Sequence, residues 1–81
     1  MYTSPLITGV PEAIITLKNG WSIHATAENL AYVYKEEHSP AIGIKVNHLV
    51  LKPEDVDTLY YSGVRAHLQL DPAAPGGMKW I

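Results

Sequence analysis

The chain has 81 residues, of which 47% are hydrophobic and 17% charged, which is enough apolar material for one core and too little chain for two domains. The absence of cysteine excludes disulfides and thiolate metal sites. The net charge is −2, and the six lysines and arginines are scattered singly, so we expect no nucleic-acid binding.

Nothing in the sequence predicts a membrane protein or a secreted one. The first residues, Met1 to Pro5, lack the basic start and the apolar run of a signal peptide. No apolar stretch approaches the roughly 18 residues that a membrane span needs. We therefore expect a cytoplasmic protein that does not contact a membrane.

The first strong element is a hairpin around Lys18-Asn19-Gly20, which two segments of strand-forming residues flank. A two-residue turn would mix polar and apolar side chains on both faces of this hairpin. A three-residue loop, with the glycine left-handed in a bulge, instead pairs Ile15 with Ile23 and Ala13 with Ala25. Because this register creates one wholly apolar face, burial should select it.

Residues 27–37 allow two interpretations. As a helix they would bury a single stripe, formed by Ala27, Leu30, Ala31 and Tyr34. As a strand they would follow a second three-residue loop and extend the hairpin into a three-stranded meander. The Tyr-Val-Tyr segment is typical of strands, so we predict the strand.

Alternating apolar residues predict another strand that ends near Val46. Leu49 and Leu51 continue the alternation with the opposite phase, so the pattern changes at Asn47-His48. We expect a β-bulge, a bend or a short break between two strands there. No internal repeat is evident along the chain.

Residues 53–62 form the one predicted α-helix. Pro53 suits the first helical position, and the acidic residues after it place negative charge at the positive end of the helix dipole. Val56, Leu59 and Tyr60 give a buried stripe. The glycine that follows can end the helix in a left-handed conformation.

These elements predict an α+β fold. Residues 64–70 alternate as a strand, and we expect a twisted antiparallel sheet of about five strands with the α-helix of residues 53–62 packed on one face. Residues 1–71 would form this single domain. Residues 72–81 are a Pro/Gly-rich tail with an apolar end, which we expect to dock on its own domain rather than on a partner.

No pattern predicts a catalytic, metal or cofactor site. The four histidines form no close pair of the kind that metal ligands usually make. The serines lie in no recognisable nucleophile context. We therefore expect a protein that is not an enzyme.

The predicted meander places His24, Tyr32 and Tyr34 together on the outer face of the sheet, where tyrosines would supply contact area with little entropy to lose. Arg65 is the best candidate for holding an anion, because its guanidinium fork matches a carboxylate or phosphate. Trp80 would anchor the tail. These five residues are the predicted binding site.

Three functions fit these features. The first is a small non-enzymatic interaction module, such as a regulator or inhibitor, that acts through a protein surface as a homo-oligomer. The second is a binder of a small ligand, a nucleotide or another anion, with a pocket between subunits. The third is a structural subunit of a larger assembly.

Overall fold

The structure, a computed structural model, describes residues 2–81 except for the side chain of residue 75. Nine strands run through these residues: β1 (Tyr2–Pro5), β2 (Glu12–Leu17), β3 (Ser22–Thr26), β4 (Leu30–Tyr34), β5 (Ala41–Val46), β6 (Leu49–Leu51), β7 (Val56–Tyr61), β8 (Val64–Leu70) and β9 (Met78–Trp80). Single 3₁₀ turns cover Ala27–Asn29, Pro53–Asp55 and Pro75–Gly77.

The strands form two antiparallel sheets. The four-stranded sheet has the order β1-β4-β5-β6, and the five-stranded sheet has the order β3-β2-β7-β8-β9. Strands hold more than half of the described residues, and no helix among them reaches seven residues. The predicted α+β class is therefore wrong, and the fold is nearly all β.

The helix predicted for residues 53–62 is a 3₁₀ turn, Pro53–Asp55, followed by β7. Val56 and Leu59 are both fully buried although they lie three positions apart, a spacing that imitates a helix. In β7 this spacing arises because a bulge next to Asp57 shifts the pairing register against β2. A bulge adds one residue to a strand, so two inward residues that would be two apart become three apart.

The inner faces of the two sheets enclose one hydrophobic core. The five-stranded sheet contributes Ala13, Ile15, Ala25, Val56 and Leu59, and the four-stranded sheet contributes Leu30, Ile44 and Val46. Removing these apolar side chains from water is the main favourable contribution to folding. Both sheets are needed to build it.

The two sheets are assembled from two similar units of the chain. The first unit is β2, β3, the turn Ala27–Asn29 and β4; the second is β5, β6, the turn Pro53–Asp55 and β7. In each unit the first two strands form a hairpin, and the third strand leaves for the opposite sheet. There β4 pairs with β5, and β7 pairs with β2.

The pairing registers of the two units match residue by residue along β2 and β5, although β7 has the bulge residue Asp57 and β4 has no extra residue at that place. The four pairs of β2 with β7 have counterparts between β5 and β4: Leu17–Val56 matches Val46–Leu30, Thr16–Thr58 matches Lys45–Ala31, Ile15–Leu59 matches Ile44–Tyr32, and Ile14–Tyr60 matches Gly43–Val33. The partners of β7 and β4 on their other sides, β8 and β1, also correspond. The two sheets thus repeat one four-stranded framework, to which β9 is added once.

Two equivalent hydrogen bonds tie the units together. The backbone N–H of Lys18, just after β2, donates to the carbonyl of Asp55 at 3.0 Å. The backbone N–H of Asn47, just after β5, donates to the carbonyl of Asn29 at 2.9 Å. Each 3₁₀ turn therefore ends against the hairpin of the other unit, which satisfies backbone groups that would otherwise lack a partner.

Several local predictions are confirmed. The β2–β3 hairpin has the predicted register, with Ile15 opposite Ile23 and Ala13 opposite Ala25. Its bulged loop has Gly20 at a φ of 95°, in the left-handed region. The phase change at Asn47-His48 is a tight turn between β5 and β6.

The end of the tail docks on its own chain, as predicted. Strand β9 pairs with β8, and mutual backbone hydrogen bonds between His67 and Ile81 extend this pairing. Lys79 Nζ lies 3.2 Å from Asp71 Oδ2. The backbone N–H of Ala73 and the Lys79 ammonium hold the pKa of Asp71 below its ordinary value.

We predict that Gly43→Ala destabilises the protein. A Cβ at this position would lie 2.7 Å from the backbone carbonyl oxygen of Leu51, which β5–β6 pairing holds in place. Overpacking of this kind costs about 1–3 kcal/mol, which urea unfolding would measure. Lys45→Ala on the same strand is the control and should change the unfolding free energy by less than about 0.5 kcal/mol. Equal stability of Gly43→Ala and the wild type would contradict the close approach of β6.

Candidate functional site

The outer face of the five-stranded sheet carries the candidate site. Along its strands, residues that line the core alternate with residues that point away from it. Because Ile15 and Leu59 lie in the core, Ile14 and Tyr60 point outward. Strand pairing aligns one outward residue from each of four neighbouring strands: His24 on β3, Ile14 on β2, Tyr60 on β7 and Arg65 on β8. We call these four residues the outer row.

Arg65 and Tyr60 contact each other within the outer row. The guanidinium carbon of Arg65 lies 5.6 Å from the centroid of the Tyr60 ring, which is the distance of a cation–π contact. Both side chains are exposed. The contact restricts the arginine on the surface, while the N–H groups of its planar fork remain able to bind a carboxylate or phosphate.

A cleft of about 640 Å³ opens beside the outer row. His24, Ile14 and Tyr60 line it together with polar residues, among them Glu12 and Asn47. The volume lies within the range of roughly 300–1,000 Å³ that small-molecule sites occupy. The cleft can therefore receive either a small ligand or a side chain of another protein.

A second row lies next to the outer row and is formed by Ser22, Thr16, Thr58 and His67. Thr58 is only 3% exposed, and its hydroxyl has no hydrogen-bond partner among the described residues. His67 Nδ1 lies 3.6 Å from Asp57 Oδ1 at the exposed end of this row. The second row thus has small hydroxyl side chains on β3, β2 and β7 and a histidine on β8.

Three of the five predicted binding residues form hydrogen bonds within the fold instead of facing solvent on one surface. Tyr32 and Trp80 join the two sheets, whereas Tyr34 joins two strands of the four-stranded sheet. The indole Nε1–H of Trp80 donates to the hydroxyl oxygen of Tyr32 at 2.8 Å, which joins β9 to β4 across the core. The hydroxyl of Tyr34 hydrogen-bonds to Ser4 Oγ at 2.9 Å. These three aromatic side chains are half-buried.

The surroundings of Tyr32 change its acidity. Burial raises the pKa of its phenol, the hydrogen bond from Trp80 opposes this rise, and nearby Tyr34 adds to it. The neutral phenol is therefore the form that the folded protein favours.

The predicted meander, which places His24, Tyr32 and Tyr34 together on one outer face, is wrong. The strand that contains both tyrosines exists, but it pairs with β1 and β5 in the four-stranded sheet. His24 and Arg65 do lie in one row, separated by Ile14 and Tyr60. Tyr60, which the sequence predicts in the buried stripe of a helix, lies in this row instead.

The structure provides two further observations about this chain. Among residues 2–81, no three or more histidine, aspartate or glutamate side chains come together as metal ligands could. No helical segment in this part of the chain is long and apolar enough to cross a membrane.

Comparisons with known proteins add no relative. No protein-family model matches the chain, and no significant match was found among curated proteins or solved structures.

We predict that Tyr32→Phe lowers the unfolding free energy by about 0.5–1.5 kcal/mol at pH 7, because it removes the acceptor of the Trp80 hydrogen bond. The raised pKa adds a pH dependence. Its stabilising contribution is complete below pH about 10 and is lost as the pH rises through the pKa of the folded state, since only the unfolded chain ionises in that window.

Urea unfolding between pH 7 and pH 11 measures both effects. The wild type should lose stability more steeply above pH about 10 than Tyr32→Phe does. The matched control is Tyr2→Phe, since Tyr2 is exposed, and it should cost less at pH 7. Parallel pH profiles for the wild type and Tyr32→Phe would contradict the burial of this phenol.

We also predict that Thr58→Val stabilises the protein by about 1 kcal/mol, because a buried hydroxyl without a partner costs about 1–3 kcal/mol. Valine keeps the branched shape that suits a strand. Thr16→Val on the neighbouring strand is the control, since Thr16 is less buried and should respond less. A lower midpoint of thermal unfolding for Thr58→Val would show that the hydroxyl is satisfied after all.

Proposed function

We propose that this chain is a small, non-enzymatic interaction module of the cytoplasm, which recognises a protein partner through the outer row and also associates with itself. A regulator or inhibitor is the class of protein that fits this mode of action. The supporting observation is the exposed contact between Tyr60 and Arg65 in the outer row, with a cleft beside it.

The repeated framework allows the outer row to be compared with its counterpart on the four-stranded sheet. Ile14, Tyr60 and Arg65 occupy the positions that Gly43, Val33 and Thr3 occupy there. The framework therefore forms with small side chains at these positions. On the four-stranded sheet packing sets the size of these residues, because Gly43 and Val33 are buried. Tyr60 and Arg65 are exposed, and we attribute their size to recognition.

The chemistry of the outer row suits a protein surface. Tyrosine and arginine are enriched among residues that dominate binding energy, because they combine contact area with directed hydrogen bonds. The cation–π contact orders both side chains before binding, which reduces the entropy lost on association. Arg65 can meet an acidic group of the partner while Tyr60 and Ile14 provide apolar area.

A small anionic ligand is the second candidate, and the cleft beside the outer row is the observation that favours it. The predicted binding residues Tyr32 and Tyr34 do not line this cleft, since their hydroxyls hydrogen-bond to Trp80 and Ser4 elsewhere in the fold. A ligand here would meet His24, Asn47 and Tyr60, and the Glu12 carboxylate in the same lining would oppose an anionic group close to it. The third candidate, a structural subunit joined through its tail, lacks a free tail because β9 pairs with β8.

We predict that Tyr60→Ala and Arg65→Ala each weaken binding of the protein partner by at least tenfold, corresponding to about 1.4 kcal/mol or more. Affinity purification with the wild type identifies the partner, and titration calorimetry with each variant measures the loss. Tyr2→Ala and Lys35→Ala are the matched controls, because they remove an exposed tyrosine and an exposed cation outside the five-stranded sheet.

The two candidate functions give different outcomes. A partner that binds all four variants equally would contradict recognition by the outer row. Thermal unfolding with a nucleotide such as ATP tests the alternative, because a ligand that prefers the folded state raises the unfolding temperature. A rise that Tyr60→Ala abolishes, without any protein partner, would support the small-ligand function instead.

A further inference from the structure

The free edges of the two sheets differ in how well they are protected. In the described residues the sheets end at β1, β3, β6 and β9. Strands β6 and β9 each have only three residues, and β1 ends in a proline. Strand β3 has five residues, Ser-Ile-His-Ala-Thr, with no proline, no lysine and no bulge. Short strands, prolines and lysines are the usual protection against pairing with another chain, so β3 is the unprotected edge.

The hydrogen-bonding groups on this edge can be assigned from the hairpin loop. The backbone N–H of Leu17 donates to the carbonyl of Trp21 at 2.7 Å, so Trp21 directs its backbone groups toward β2. Alternation along an antiparallel pair gives Ile23 and Ala25 the same direction. The backbone groups of the intervening residues, Ser22, His24 and Thr26, then point away from the sheet. These three residues are also exposed.

The edge is complementary to itself. An antiparallel second copy centred on His24 would place the two histidines opposite each other and pair Ser22 with Thr26 at both ends. All three positions are of the hydrogen-bonded type, so the outward N–H and C=O groups find partners in the other copy. Opposite serine and threonine side chains are a favourable cross-strand pair.

The charges at the two ends of β3 also fit a second copy. Lys18 lies in the loop before the strand, and Glu28 lies in the 3₁₀ turn after it. Antiparallel pairing brings the lysine end of one copy beside the glutamate end of the other, twice per dimer. No lysine, arginine, aspartate or glutamate lies within β3 to oppose its own copy.

We infer that the occupant of the β3 edge is a second copy of this chain, paired antiparallel about His24 to form a dimer with one continuous sheet across both protomers. The outer row of one protomer then continues into that of the other through the two histidines. This inference specifies the self-association included in the proposed function. It uses the edge of β3, whereas partner recognition uses Tyr60 and Arg65.

The test measures the solution mass of the full chain by analytical ultracentrifugation, at concentrations up to about 1 mM. The wild type should form a concentration-dependent species of twice the 8.9 kDa monomer. His24→Lys places two cations opposite each other and should leave a folded monomer, with dimer affinity reduced at least tenfold. His67→Lys is the matched control. It replaces a histidine by lysine on the same outer face, but on β8, which is an interior strand of the sheet, so this variant should still dimerise.

Amide hydrogen exchange of the wild type provides a second measurement that needs no variant. The amides of Ser22, His24 and Thr26 should exchange more slowly as the protein concentration rises. A wild type that stays monomeric at about 1 mM overturns the inference. So does a dimer that His24→Lys leaves intact, or one without concentration-dependent protection of these amides. Loss of partner binding in Tyr60→Ala with an intact dimer separates this inference from the recognition proposal.

Discussion

The structure depends on the exchange of third strands between its two units. Neither hairpin builds its sheet alone, because the strand that pairs with its first strand comes from the other unit. This strand is β7 for β2 and β4 for β5. The hydrogen bonds from Lys18 to Asp55 and from Asn47 to Asn29 fix this exchange at both crossing points. Since each unit completes the sheet of the other, we expect the 81-residue chain to fold in a single cooperative transition.

The sequence predicted local structure well and long-range pairing poorly. The apolar pattern of residues 12–26 allows only one register with a dry face, and the structure has that register. The same pattern cannot specify which strand a third segment joins, so β4 was placed beside β3 when it pairs with β5. The acidic Pro53 turn and the spacing of Val56 and Leu59 have the same appearance at a helix start and at a 3₁₀ turn followed by a bulged strand.

The candidate site was predicted in part for the same reason. His24 and Arg65 belong to a hairpin and a strand whose patterns were correctly interpreted, and both lie in the outer row. Tyr32, Tyr34 and Trp80 have the amphipathic chemistry of interface residues. That chemistry equally suits a hydrogen bond between the sheets, as for Tyr32 and Trp80, or between strands of one sheet, as for Tyr34. Composition alone does not distinguish an interface between proteins from an interface within one.

The two units share a strand-pairing framework but differ in the length of their edge strands. Strand β3 reaches Thr26 before its 3₁₀ turn, whereas β6 ends at Leu51, so His24 has no counterpart in the pairing of β5 with β6. His24 therefore belongs both to the additional length of β3 and to the outer row. The four-stranded sheet forms without a long edge strand and without an outer row. The five-stranded sheet has both features, and they adjoin each other. Dimer pairing at the edge of β3 and partner recognition through Tyr60 and Arg65 would then adjoin at His24 while depending on different residues.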